Sequence, residues 1–109
     1  MKLPRRHRIG PFWYKVKYKK GLKDSENEEV SGLCYFRKGK IEIDKELQGR
    51  MLASTVLHED IHAALDAVGC FGLRSDESFV ESMANAMLAL LLDSPNYLEF
   101  LMEIRDEHK

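Results

Sequence analysis

The chain has 109 residues, of which 44% are hydrophobic and 32% charged, and its net charge is −1. That is one domain's worth of chain with a modest buried core, and too apolar a composition for intrinsic disorder. The charge balance argues against nucleic-acid binding as the purpose of the domain. The longest apolar run, Ala86–Leu92, falls far short of the roughly 20 residues that span a bilayer. Cys34 and Cys70 stand in no metal-binding or redox spacing. A small secreted domain usually carries a disulfide framework, so a cytoplasmic location is expected.

Residues 1–29 divide into a basic part and an acidic part. Residues 1–23 hold nine of the seventeen Lys and Arg residues and no acid. The basic start reads as a solvent-facing arm with no apolar signal-peptide stretch behind it. From Tyr14 to Lys19 apolar and basic residues alternate, the two-residue period of a half-buried strand. Asp24–Glu29 is a solvated loop. Leu33–Phe36 and Lys40–Asp44, joined by a Gly39-containing turn, read as a β-hairpin.

Beyond Asp44 the period becomes helical. Leu47, Met51, Ala64, Leu65 and Val68 suit one amphipathic helix over about residues 45–68, capped by Gly69. Ser75 reads as the N-cap of a second helix running to about Leu92, with Phe79, Val80, Met83, Met87 and Leu91 as its core stripe. Pro95 restarts a short terminal helix. The sum is a single α+β domain over residues 1–109. A small antiparallel sheet of about three strands is followed by a long helix, an antiparallel return helix and a short C-terminal helix.

The chemistry-bearing motif is His58-Glu59-Asp60-Ile61-His62. Histidines four apart on a helix project from one face, so both imidazoles reach one ion, and Glu59 stands beside them as a proton acceptor. Val56, Leu57 and Ile61 make the surroundings apolar, where two histidines and a glutamate are costly to bury unless satisfied. Zn2+ satisfies them.

Zinc needs a further protein ligand. His7 and His108 lie in the termini, and Cys70 reads as a small packed residue. The carboxylates Glu77 and Glu81 remain. The first helix runs about six residues past His62, roughly 9 Å. A return helix starting at Ser75 comes level with the histidines at Glu81, whereas Glu77 does so only if the loop 69–74 climbs. Glu81 is therefore the expected third ligand and Glu77 the alternative. Asp66 shares the face of His62 and is a candidate to orient a ligand imidazole.

Thr55-Val-Leu-His-Glu-Asp-Ile-His-Ala63, Glu77-Ser-Phe-Val-Glu-Ser-Met-Ala-Asn85 and Asp93-Ser-Pro95 resemble small phage- and prophage-encoded zinc metallopeptidase-like proteins. These are compact gluzincins similar to the ImmA/IrrE group, and the resemblance covers roughly residues 30–100. It implies a zincin-like fold. Glu81-Ser-Met-Ala-Asn85 looks like the Glu-x-x-Ala-Asn glutamate-helix pattern of that group, which favours Glu81. Glu77-x-x-x-Glu81 also looks like the gluzincin Glu-x-x-x-Asp pattern, which favours Glu77.

The resemblance implies peptide-bond hydrolysis, with a peptide or protein as substrate and a phage or prophage regulatory role. In that scheme zinc is held by His58, His62 and Glu81, and Glu59 is the catalytic base. The strand Lys40–Asp44 is expected to align an extended substrate by edge pairing. Tyr14, Tyr18 and Tyr35 are the tyrosines available for an oxyanion role, and none is assigned. Two other readings stand beside the peptidase: a zinc-binding domain without proteolytic activity, and a phage interaction protein carrying the motif as a relic. No nucleic acid or membrane is expected as a partner.

Overall fold

The structure, a computed structural model, describes residues 2–107, so His108 lies outside it. In chain order the elements are β1 (Arg6–Ile9), β2 (Phe12–Lys19), β3 (Gly32–Tyr35), β4 (Lys40–Asp44), α1 (Gly49–Ala67), α2 (Glu77–Asp93) and α3 (Tyr97–Glu107). The strands form one sheet in the order β1-β2-β4-β3. The α+β class is as expected, but the sheet has four strands and is mixed. β1–β2 and β3–β4 are antiparallel, whereas β2 and β4 are parallel.

Two features of the sequence account for the difference. The basic start is not an arm: Arg6–Ile9 pairs with β2 through a tight turn at Gly10, whose φ of +58° suits glycine. His7 and Ile9 are half-buried while Arg6 and Arg8 face solvent, an alternation that the run of cations hides. The segment 20–31 then carries the chain past the edge of β2, so that β4 fills the gap between β2 and β3. β4 is thus hydrogen-bonded on both sides, and the expected edge pairing of substrate with Lys40–Asp44 has no free edge to use. The free edges belong to β1 and β3.

β4 is central enough to be buried on both faces. Ile41 and Ile43 join Tyr14, Val16 and Ala63 in the core under α1. Glu42, on the other face, is also buried; its Oε2 is ion-paired with Lys19 and, at 3.6 Å, with Lys40, and its Oε1 accepts from the Tyr35 hydroxyl at 2.9 Å. Burial pushes the Glu42 carboxyl up, but the bonds from Lys19 and Tyr35 together with the charges of Lys19 and Lys40 outweigh it and bring the carboxyl below its ordinary value.

α1 packs across the sheet and carries α2 on its other side. Its apolar residues therefore serve two clusters. Leu52, Val56 and Ala63 face the sheet, while Leu57, Ile61 and Leu65 meet Val80 and Ala84 of α2. A helix buried on two sides has no single apolar stripe. This corrects the expected face, because Met51 and Val68 are exposed. The helix also starts later than expected, at Gly49, since residues 45–48 form the turn out of β4. α2 runs antiparallel to α1, with Arg50 near the start of α1 bonded to Asp93 at the end of α2 at 2.5 Å. Its N-cap is Asp76 rather than Ser75, with the carboxylate accepting from the Phe79 amide at 3.0 Å. Val80 of the expected core stripe is fully buried and Phe79 and Met87 are partly so, but Met83 is exposed. No helix among the described residues is long and apolar enough to cross a membrane.

Candidate metal centre

His58 and His62 lie one turn apart on α1, and their Nε2 atoms stand 3.2 Å from each other. The imidazoles meet edge to face, with centroids 4.9 Å apart and planes at 67°. His62 is buried and His58 partly so.

What faces them is set by how α1 ends. Gly69 has a φ of +80°, the Cys70 amide donates to the Leu65 carbonyl, and the Gly69 amide donates to the Asp66 carbonyl. This pair of bonds is the Schellman arrangement, which reverses the chain at once and bears out Gly69 as the cap. The Leu73 and Arg74 amides then both donate to the Cys70 carbonyl, folding the loop back on itself. By Arg74 the chain is level with His62, because His62 Nδ1 donates to the Arg74 carbonyl. The loop does the climbing. Glu77, the first residue of α2, consequently reaches both imidazoles: its Oε2 is 3.0 Å from His58 Nε2 and its Oε1 is 2.8 Å from His62 Nε2.

Among the described residues, His58, His62 and Glu77 form a group whose ligand atoms all lie within 4.8 Å of one another, close enough to hold a metal ion. Glu81, one turn further along α2, approaches a different atom, His58 Nδ1, at 3.0 Å. The structure thus brings both acids to the histidines, Glu77 to the facing nitrogens and Glu81 to the far side of the His58 ring.

The donor set fits a cation. With Nδ1 of His62 donating to a carbonyl, its Nε2 carries a lone pair in the neutral ring. That lone pair faces a carboxylate oxygen and a second imidazole nitrogen. Satisfying all the contacts with protons alone would need an N–H on both facing Nε2 atoms, 3.2 Å apart. One divalent cation satisfies them together. One further carboxylate holds the frame. Asp66 binds the Arg74 guanidinium, so it supports His62 through the Arg74 backbone and not by touching the ring. Arg74 also lies over the rings of Phe36 and Phe71, at 5.0 and 4.9 Å from their centroids.

Glu59 lies buried under the histidines and lines the same open cleft of about 440 Å³ as His58, Glu77 and Glu81. Burial pushes its carboxyl up to about 7; the His58 imidazole opposes that rise, and Glu77 and Asp60 add to it. Asp60 points the other way, to His7 Nε2 at 3.2 Å, and burial pushes its carboxyl up to about 7 as well. The cleft's opposite wall is the start of β3, with Val30, Ser31 and Gly32.

Gly32 is the residue that sequence reasoning missed, since a glycine at a strand start carries no signal of what will pack on it. A Cβ there would stand 2.8 Å from Glu59 Oε2, 2.9 Å from Glu59 Cγ and 3.0 Å from Thr55 Cγ2. Gly32→Ala is therefore expected to displace Glu59 and to destabilise the fold by about 1–3 kcal/mol, read as a lowered Tm, while zinc content stays unchanged.

The remaining candidates are engaged elsewhere. Tyr14 is core, Tyr18 donates its hydroxyl to the Pro4 carbonyl at 2.6 Å, and Tyr35 is bonded to Glu42. Cys70 is exposed, not packed, because it sits on the reversal after Gly69. In comparisons with known proteins, no family model, no curated protein and no solved structure matches this chain.

Proposed function

We propose that this chain is a zinc-dependent peptidase of zincin-like fold, with the ion held by His58 Nε2, His62 Nε2 and Glu77. The observation that carries this reading is the convergence of three lone-pair donors beside a buried carboxylate, Glu59, in one open cleft. Glu77 remains 71% exposed, which leaves the ion's outer side open to substrate. A closed structural site would bury all its ligands, whereas a catalytic one keeps a position free.

Bound zinc supplies Lewis acidity to a scissile carbonyl and lowers the pKa of water in the cleft toward neutrality. Glu59 accepts the proton of that water and returns it to the leaving amine. Glu81 fixes the His58 ring through Nδ1, and the Arg74 carbonyl fixes His62 in the same way. The free edge of β3 borders the cleft and takes over the role expected of β4, pairing with an extended peptide. The resemblance to small phage-type metallopeptidases supports a regulatory protein as the substrate.

Stripping the protein with a chelator is expected to abolish cleavage of a peptide library, and added zinc restores it. Mass spectrometry of the products reads both steps. Cleavage that survives the chelator contradicts the reading, and a zinc-loaded chain that cleaves nothing supports the non-proteolytic zinc-binding domain instead.

A further inference from the structure

α3 is an amphipathic helix whose apolar residues have little to pack on. Tyr97, Leu98, Phe100, Leu101, Met102 and Ile104 are all more than a third exposed, and its main packing is on α2. The same chain carries an unfilled apolar groove of about 540 Å³ between the start of α1 and the end of α2. Its walls are Leu52, Val56 and Leu57 from α1 and Leu88, Leu91 and Leu92 from α2. The groove and the metal cleft share no lining residue.

The two features match in charge as well as in polarity. α3 carries four acids, Glu99, Glu103, Asp106 and Glu107, against one base, Arg105. The groove is flanked by the N-terminal segment, and the neighbouring hollow formed by residues 2–6 adds Lys2, Arg5 and Arg6. An eleven-residue helix is about 16 Å long, a span that lies along such a groove. α3 is joined to α2 only through Ser94, Pro95 and Asn96, a short connection of the kind across which terminal elements exchange.

We propose that two copies of this chain form a symmetric dimer in which α3 of each lies in the Leu52–Leu92 groove of the other. The apolar side of α3 covers the groove leucines, and its acids face the basic N-terminal segment. Because each copy offers both helix and groove, the contact is isologous and closes at two. This does not depend on the metal site.

Sedimentation of the full chain at micromolar concentration tests it. The wild type is expected to run as a dimer. F100E/I104E changes α3 at exposed positions, L92E changes the groove at an exposed position, and each is expected to yield a monomer with an unaltered helical circular dichroism spectrum. E99K/E103K is expected to weaken the dimer, and raised salt to weaken the wild type. A wild-type monomer overturns the proposal, whether α3 stays loose or folds back onto its own groove. So does a dimer that survives either F100E/I104E or L92E.

Discussion

Glu59→Gln is expected to reduce peptide cleavage by about 10²–10⁴-fold while leaving the bound zinc in place. The substitution preserves the size of a side chain packed closely against Gly32, so the packing of α1 on β3 is retained. It removes the one property the chemistry needs, an oxygen able to take a proton and give it back. Glu59 is not among the three side chains that converge on the ion position, so zinc content is expected to match the wild type. Loss of zinc together with activity would make Glu59 a structural support of the site. Full activity would remove it from the mechanism.

The second large effect separates the two acids of α2. Glu77 is placed against both facing imidazole nitrogens, whereas Glu81 meets only the outer nitrogen of His58. Removing a carboxylate that orients a ligand histidine typically lowers metal affinity by about 10–100-fold. Glu81→Ala is expected to fall in that range. Glu77→Ala removes a ligand and is expected to lose more, measured by competition with a chromophoric chelator. The reverse order would make Glu81 the third ligand, as the helix-rise argument expects.

The contrast between those two glutamates also marks where sequence reasoning stops. Two histidines and a glutamate at i, i+1 and i+4 on a helix fix their mutual geometry through helix periodicity, and that part of the site was legible. The third ligand depends on the loop 69–74, whose path comes from bonds that no side chain announces: the two amides of the Schellman turn, and a carbonyl of Arg74 that receives His62. Counting helix rise assumed a loop that stays at the helix end. The actual loop rises to His62 and so brings Glu77 level with it.

The sheet follows the same logic. The alternation of Tyr14, Val16 and Tyr18 and the hairpin of Leu33–Phe36 with Lys40–Asp44 were readable as local patterns. The insertion of β4 beside β2 is a long-range choice. One residue hinted at it, since Glu42 lies in a strand otherwise suited to burial and gains its closer cation, Lys19, only when β2 lies alongside. β1 went unread because its inward residues, His7 and Ile9, are interleaved with Arg6 and Arg8. His7 gains its partner, Asp60, only from the packed helix.

Elemental analysis of the purified chain, dialysed against zinc and then freed of excess, tests the convergence of His58, His62 and Glu77 most directly. One zinc per chain is expected, absent from a His62→Ala variant that keeps its fold. A correctly folded wild-type chain that takes up no zinc would contradict it.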